Sequence, residues 1–342
     1  MSEITTVGVD LAKNVFQVHG ADSKGHAVLR KKLRRAQVLE FFAKLSPCLV
    51  AMEACGGAHF WGRELAKLGH DIRLIPPAYV KPFVKRQKND AADAEAICEA
   101  AQRPTMRFVP VKSEETQGAA MVFRIRELLV RQRTQTINAL RGHLGEFGQV
   151  VPQGAGNATR LIAMIEAPDS GLPPEALATL DVLVTALRHL ETEIKKLDVE
   201  IDRRAGENDL ARRLMTIPGI GPLIATAIAT LAPQPETFRK GRDFAAWLGL
   251  TPRQHSTGGK QRLGATTKMG ERSLRRLLII GANSVIIKRH VHASARPGTW
   301  LGTMLTRKPP MLVRVALANK MARIVWALMA HGSVYKAPVA AA

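Results

Sequence analysis

The first third of the chain alternates short apolar runs with polar breaks, a pattern typical of β-strands joined by turns and helices. Residues 5–20 contain two such runs around a short polar break, which predicts two paired strands joined by a tight connection. Further strands are predicted at 26–30, 47–52 and 71–75, with helices at 36–45 and 58–68. This order predicts a mixed α/β sheet with helices on its faces.

Two acidic residues stand where predicted strands end. Asp10 follows the first strand, and Glu53 follows the continuously apolar run 47–52. A carboxylate at the end of a central strand is held rigidly, and hard cations such as Mg²⁺ bind rigid anionic oxygens. Alternatively, Asp10 is simply a turn residue that caps its strand.

Two more carboxylates lie in an alanine-rich segment, 89–97, that predicts a helix beginning near Asn89. Asp90 and Asp93 are three residues apart and therefore share one helix face. Like charges at that spacing repel each other unless a cation lies near them. The competing interpretation is a helix start that carries acids to match its dipole.

The middle of the chain is helical in pattern. Segment 113–144 is a long arginine-rich helix, and segment 180–201 repeats apolar residues every seven positions. This repeat predicts either an oligomerising hairpin or a helix packed against the first one, and we favour an antiparallel stalk with a role in assembly. The predicted apolar side of the first helix consists of Met121, Ile125, Leu128, Ile137, Leu140 and Leu144.

Segment 214–225 has the pattern of a helix, a Gly-x-Gly turn and a new helix, known as a helix-hairpin-helix. Backbone N–H groups beside Gly219 and Gly221 can then hold a phosphate, although a plain turn between two helices fits the same residues. Two more helices are predicted at 271–285 and 313–329, with a loop between them and a disordered tail at 336–342.

The glycine-rich segment 253–264 is strongly basic. From Arg253 to Arg276 there are seven Lys or Arg and one acid, Glu271, a balance suited to a nucleic-acid backbone. Ser256 and Thr257 lie at its turn, where a hydroxyl can be exposed. The candidate nucleic-acid contacts are Arg253, Gly258, Gly259, Lys260, Arg262 and Lys268, together with Gly219 and Gly221.

Composition supports a polyanionic partner. The 342 residues include 50 Lys or Arg against 29 Asp or Glu, a net charge of +21, which points to nucleic acid. Cys48, Cys55 and Cys98 lack metal-site spacing, which indicates reduced thiols. No apolar run is long enough to span a membrane and no signal peptide is present, so we expect a cytoplasmic, nucleoid-associated protein without membrane contact.

Five motifs, in order, resemble the DEDD transposases of bacterial insertion sequences, the IS110 family and its IS1111 subgroup. They are Val-Gly-Val-Asp-Leu-Ala-Lys at 7–13, Met-Glu-Ala-Cys-Gly-Gly at 52–57, Lys-Asn-Asp-Ala-Ala-Asp-Ala at 88–94, Ile-Pro-Gly-Ile-Gly-Pro at 217–222 and Gly-Leu-Thr-Pro-Arg-Gln-His-Ser-Thr-Gly-Gly-Lys at 249–260. The resemblance extends from about residue 5 to 335.

The resemblance implies an α/β plus α protein with four segments: a ribonuclease-H-like (RuvC-like) domain at 1–112, a helical coiled-coil linker at 113–205, a mostly helical transposase domain at 206–335, and the tail. It implies that Asp10, Glu53, Asp90 and Asp93 bind metal; such a cluster can hold two Mg²⁺ ions. It further implies an RNA-guided recombinase that joins donor and target double-stranded DNA as a homo-oligomer, a dimer to a tetramer.

The resemblance also implies a serine that attacks the DNA backbone and holds it as a phosphoserine. Many relatives have this serine directly before glycine, whereas Thr257 stands there in this chain and Ser256 precedes it. We favour Ser256, whose primary hydroxyl is less hindered, and keep Thr257 as the alternative. Two other functions remain open: a metal-dependent junction nuclease without a serine intermediate, and a non-catalytic nucleic-acid-binding protein.

Overall fold

A computed structural model describes residues 3–85, 89–288 and 298–337. The chain divides into two compact units, Met1–Gln117 and Gly118–Ala342. The finer division into domains at 112, 205 and 335 stays a prediction, and the end of the tail, from residue 338, lies outside the described residues.

Unit 1 contains a five-stranded mixed sheet in the order β3-β2-β1-β4-β5. β1 pairs antiparallel with β2, and β2 with β3, whereas β1, β4 and β5 run parallel to one another. The strands are β1 (Thr6–Asp10), β2 (Val15–Ala21), β3 (Ala27–Arg34), β4 (Leu49–Glu53) and β5 (Asp71–Ile75). The predicted strand pair and mixed sheet are confirmed, and the third strand is longer than predicted.

Helices cover both faces of this sheet. They are α1 (Val38–Ala43), α2 (Ala58–Lys67), α3 (Pro77–Val80) and α4 (Asp90–Ala101), with short 3₁₀ turns at Arg35–Gln37 and Lys81–Phe83. Val7 and Val9 of β1 are buried in the core formed with α1 and α2. Ala51 and Ile75 are instead buried with α4. Because side chains alternate along a strand, residues 8 and 10 of β1 face α4.

Unit 2 is mostly helical. Its helices are α5 (Glu114–Glu146, which begins in unit 1), α6 (Ala158–Glu166), α7 (Pro174–Glu207), α8 (Asp209–Leu214), α9 (Pro222–Leu231), α10 (Gly241–Trp247), α11 (Arg272–Ile287), α12 (Trp300–Arg307) and α13 (Pro310–His331). The β-hairpin of β6 (Pro252–Gln254) and β7 (Leu263–Thr266) lies between α10 and α11. Helix α12 occupies a stretch where the sequence pattern predicted a loop.

The long helices α5 and α7 pack antiparallel. The Arg126 guanidinium on α5 pairs with the Asp198 carboxylate on α7, and further along, Ile137 and Leu144 share a core with Leu180 and Leu187. The heptad residues 180, 187, 194 and 201 are all buried. The repeat therefore packs at least in part against α5 of the same chain, which was one of its two interpretations. The coiled-coil linker stays a prediction.

The predicted apolar side of α5 is only half right. Ile137, Leu140 and Leu144 are buried as expected, but Met121, Ile125 and Leu128 are 55%, 42% and 44% exposed. Near its beginning the helix instead buries Val122 and Phe123 in the core of unit 2. Met121, Ile125 and Leu128 lie on the side of the helix opposite to Ile137, Leu140 and Leu144 at helical spacing, so the six predicted residues do not form one side. Val122 and Phe123 lie on the same side as the buried three. No helix in the described part of the chain is long and apolar enough to span a membrane.

Candidate metal centre and serine hairpin

Asp10 and Glu53 end neighbouring parallel strands. Val9 pairs with Met52, so the next residue on each strand, Asp10 and Glu53, lies at the same edge of the sheet. Gly8, two residues before Asp10, and Ala51, two residues before Glu53, both face α4. Because side chains alternate along a strand, Asp10 and Glu53 belong to the same face. The sheet thus places two carboxylates at the same end of neighbouring strands.

Helix α4 lies unusually close to β1 because Gly8 has no side chain. A Cβ at Gly8 would lie 2.3 Å from the Ala94 carbonyl oxygen and 2.5 Å from the Cys98 backbone nitrogen. Asp90 is one helical turn before Ala94 and therefore lies on the same helix face, directed at the sheet. The Asn89 side chain caps the helix by accepting the Ala92 N–H at 2.8 Å. The glycine and the cap together bring the acidic first turn to the end of β1.

Three carboxylates converge at this place. Asp10, Asp90 and Asp93 each offer an oxygen that lies within 4.8 Å of the other two, and we call them the carboxylate cluster. Asp10 and Asp93 are half-buried and Asp90 is exposed. Among the described residues, Glu53 is not part of this group. Loss of hydration raises the pKa of the Cys55 thiol, and the charges of Glu53 and Asp10 raise it further.

The donor set fits a hard divalent cation. Carboxylate oxygens are the ligands that Mg²⁺ prefers, and three of them at this separation repel one another unless a cation lies between them. The half-exposed position leaves room for water and for a phosphate oxygen. Mg²⁺ also keeps several waters in most protein sites. The cluster is therefore a candidate site for a divalent cation.

Two polar residues beside the cluster were not among the predicted site residues. Gln17 on β2 is the register partner of Asp10, and His19 is the partner of Gly8, so both belong to the α4 face. They line a cavity of about 370 Å³ together with Arg30, Asn89 and Glu95. Pairing the two predicted strands across their four-residue connection would have placed Gln17 next to Asp10.

The charges around this cavity are partly paired. The Glu95 carboxylate lies 3.0 Å from the Lys85 ammonium and 3.8 Å from the Arg30 guanidinium. The hydrogen bond from Lys85 holds the pKa of Glu95 below its ordinary value, so the pair is ionised at neutral pH. Burial lowers the pKa of His19, and its ring is mainly neutral at pH 7. Glu95 thereby neutralises cations close to the carboxylate cluster.

The predicted basic loop of unit 2 is a β-hairpin. Gly258 and Gly259 have φ angles of +56° and +76°, which the tight turn between Thr257 and Lys260 requires. The Ser256 hydroxyl oxygen accepts the Arg262 N–H at 3.2 Å, and the His255 N–H donates to the Arg262 carbonyl at 2.8 Å. Ser256 and Thr257 are both exposed. We call residues 252–266 the serine hairpin.

The predicted cationic contacts of the serine hairpin are accessible. Arg253, Lys260 and Arg262 are exposed, as is Lys268 beyond it. In the part of the chain that the structure describes, no carboxylate lies within 4.0 Å of these cations. Their charge is therefore free to attract an anion.

The Gly-x-Gly turn lies between α8 and α9, as predicted. Gly219 has a φ of +84°, and a Cβ there would lie 2.5 Å from the Gly281 carbonyl oxygen of α11. Close packing against α11 therefore explains this glycine. Gly221 is exposed, with nothing within 4 Å of the Cβ position, at the beginning of α9. Phosphate binding by this turn stays a prediction.

A mixed sheet of this order, with carboxylates at a strand end and on the facing helix, is compatible with the ribonuclease-H-like DEDD domains, a class that acts on nucleic-acid phosphodiesters. Comparison with known proteins is more specific. Residues 7–148 match the transposase family designated DEDD transposase IS110, and residues 211–296 match the Transposase IS116/IS110/IS902 family.

Full-length relatives agree. The chain is 49% identical over 335 residues to a probable family 20 transposase of Pseudomonas aeruginosa, covering 97% of this chain and 99% of the relative. It is 41% identical to the transposase for insertion sequence element IS1328 of Yersinia enterocolitica (98% and 99% covered) and 38% identical to that for IS1111A of Coxiella burnetii (98% and 92% covered). The chain therefore belongs to the IS110 family of insertion-sequence transposases, as its motifs indicated.

Proposed function

We propose that this transposase is a magnesium-dependent DNA recombinase that exchanges strands through a phosphoserine intermediate and is guided by a structured RNA of its own element. The observation that carries this proposal is the approach of Asp10, Asp90 and Asp93 within 4.8 Å of one another. Asp10 ends β1 and the other two residues lie in the first turn of α4, so a sheet edge and a helix start hold the three together. Carboxylate oxygens suit Mg²⁺, which completes its coordination with waters and substrate phosphate oxygens.

In this proposal the carboxylate cluster holds one Mg²⁺, and Glu53, on the neighbouring strand end, helps to hold a second. When bound, the metal polarises a phosphoryl oxygen and stabilises charge on the departing oxygen. The protein's own contribution is placement, since β1 and β4 fix two carboxylates and α4 brings the other two over them. Gln17 and Asn89, beside the cluster, can donate amide hydrogens to a phosphate oxygen.

The second component is the Ser256 hydroxyl. Its oxygen attacks a DNA phosphorus, the Oγ–P bond forms, and the bond from phosphorus to one sugar oxygen breaks. The serine loses its proton and the departing sugar oxygen gains one. A hydroxyl of another strand then reverses these steps on the phosphoserine, so one phosphoester bond replaces another and no external energy source is needed.

The proposed partners are donor DNA, target DNA and the guide RNA. The charge supports a polyanion: segment 232–342 has only three acids, Glu236, Asp243 and Glu271, among many arginines and lysines. The guide RNA rests on the family resemblance. Met121, Ile125 and Leu128 form an exposed apolar stripe on α5, which supports assembly into a homo-oligomer.

The direct test incubates the purified protein and its co-purifying RNA with donor DNA, target DNA and Mg²⁺. We expect joined DNA product and a protein–DNA adduct that resists denaturation, and neither when the metal is chelated. Peptide mapping of the adduct identifies the attached residue. Joined product with chelator present, or no adduct under any condition, would contradict the proposal.

Assembly across subunits is a further part of the proposal, because the carboxylate cluster and the serine hairpin belong to different units of the chain. Asp90→Ala and Ser256→Ala proteins, each inactive alone, are mixed before the reaction. Recovery of joined product would support an active site shared between subunits. No recovery would remove the support for assembly in trans.

A metal-dependent junction nuclease is the second candidate, and the location of all three residues of the carboxylate cluster within unit 1 favours it. Such an enzyme needs no serine. The double variant Ser256→Ala with Thr257→Ala would still cleave DNA if this candidate were correct, and would form no adduct. Loss of cleavage in that variant favours the recombinase.

A further inference from the structure

Unit 2 contains a long groove that none of the candidate residues above explains. Its volume is about 1,180 Å³, and it lies between the beginning of α10, the outer side of α13 and strand β7 of the serine hairpin. Gly241 allows the close approach of α10 and α13 that forms its floor, since a Cβ there would lie 3.1 Å from the Arg323 carbonyl oxygen.

Four cations line the groove. Lys240 and Arg242 line it from the beginning of α10, and Lys320 and Arg323 from α13. Within the described ranges, no carboxylate lies within 4.0 Å of these four charged groups, and none of the groove-lining residues is acidic. A groove with this charge attracts a polyanion.

An aromatic ring stands at the same groove. Trp300, at the start of α12, is 41% exposed, and the Lys320 ammonium lies 4.4 Å from the centroid of its ring. An exposed indole normally costs free energy in water, and this one is held in place by a cation–π contact. Aromatic rings beside a basic track are the combination that binds unpaired bases, which stack on the ring while cations attract the phosphates.

We infer that this groove binds an unpaired DNA strand, with a base stacked on Trp300 and phosphates beside Lys240, Arg242 and Arg323. The choice of DNA rests on the proposed function, because one wall of the groove is the hairpin that carries Ser256. A strand held by Ser256 must leave the hairpin along a neighbouring surface, and this groove adjoins β7. Met311 and Leu312, 59% and 52% exposed, provide apolar contact for sugars and bases at the same groove.

The test measures oligonucleotide affinity of the full chain by fluorescence anisotropy without Mg²⁺, so that cleavage plays no part. The probes are a single-stranded DNA, its duplex and an RNA of the same sequence. We expect Trp300→Ala to weaken single-strand binding about tenfold and duplex binding less than about twofold, since only the unpaired strand offers a base face. Trp300→Phe retains a ring and should recover most of the affinity.

The cations are tested by salt dependence. Replacing Lys240 and Arg323 by Gln should make the fall of log affinity with log salt less steep, by about 1.4 for single strands. Each phosphate that is no longer neutralised accounts for about 0.7 of this slope. Lys195→Gln, an exposed lysine on α7, is the matched control and should leave the slope nearly unchanged. Thermal unfolding of each variant shows that it is folded.

The inference is wrong if Lys195→Gln changes the salt dependence as much as the groove variants do, or if Trp300→Ala leaves single-strand affinity unchanged. It is also wrong if the chain prefers RNA and the groove variants abolish that preference. A change in oligomeric state with unchanged DNA affinity would instead assign the groove to a second copy of the chain. Failure of the proposed function is distinguishable, since strand joining and the adduct can be absent while single-strand binding still depends on Trp300.

Discussion

The carboxylate edge of unit 1 and the serine hairpin of unit 2 are built in opposite ways. The carboxylates end buried strands: Val9 and Met52, the residues before Asp10 and Glu53, are 1% and 0% exposed. Ser256 instead stands on an exposed two-stranded ribbon held by a few hydrogen bonds. An isolated two-stranded hairpin is only marginally stable in water.

In the proposed function, this difference separates metal binding from substrate contact. Several carboxylates bind one ion only when their spacing is fixed, and a packed sheet edge fixes it. A nucleophile that meets a long polyanion needs access and positive surroundings, which an exposed basic hairpin provides. We therefore expect substitutions at the sheet edge to change both stability and activity, and substitutions in the hairpin to change activity alone.

The largest effect should come from Ser256→Ala. Removing a nucleophile costs on the order of 10⁴-fold in rate or more, so adduct and joined product should both fall below detection. Because the side chain is exposed, the free energy of unfolding should change by less than about 0.5 kcal/mol. Thr257→Ala is the matched control and should keep the adduct. If Thr257→Ala loses the adduct and Ser256→Ala keeps it, Thr257 is the nucleophile.

Asp10→Asn should have the next largest effect. A metal ligand that helps to stabilise transition-state charge contributes several kcal/mol, so strand joining should fall about 10³-fold. Asp71→Asn, an exposed aspartate on β5 of the same unit, serves as the control. Full activity of Asp10→Asn would exclude the carboxylate cluster as the metal site.

Gly8→Ala tests the packing that creates the cluster. The added methyl group would lie 2.3 Å from the Ala94 carbonyl oxygen, so α4 must move away from β1. Overpacking of this kind costs about 1–3 kcal/mol, measured as a decrease in the free energy of unfolding, and Mg²⁺-dependent joining should fall with it. At Gly56, in the same unit, a Cβ would meet nothing within 4 Å, so Gly56→Ala is the control. Equal effects of the two changes would contradict the role given to Gly8.

Much of unit 1 could be predicted because its signals are local. The strand at 71–75 was predicted with its observed limits, since an apolar run ends at Pro76 and Pro77. The helix start at Asp90 follows from the Asn89 cap, whose partner is only three residues away. The ends of these elements carry the carboxylates, and so the candidate metal ligands could be named from sequence.

The remaining features depend on contacts between distant residues. The role of Gly8 depends on how closely α4 approaches β1, and the position of Gln17 depends on strand register. The exposure of Met121 and Ile125 depends on which side of α5 the rest of unit 2 covers. The groove beside α13 combines residues from five separate stretches of the sequence, which only the fold brings together.

The smallest expected effect comes from comparing an arginine of the serine hairpin with a salt-bridged arginine on α7. Arg203 on α7 pairs with Glu200 and Glu207, and hydrogen bonds from Arg203 and Arg204 lower the pKa of Glu200 to about 2, so these pairs are intact at neutral pH. Arg262 has no such partner among the described residues. Arg262→Gln should therefore make the fall of log duplex affinity with log salt less steep by about 0.9, the value for one neutralised phosphate. Arg203→Gln should leave this slope unchanged. Both variants remove one positive charge, so equal slopes would mean that net charge alone attracts DNA and that the hairpin has no special share in binding it.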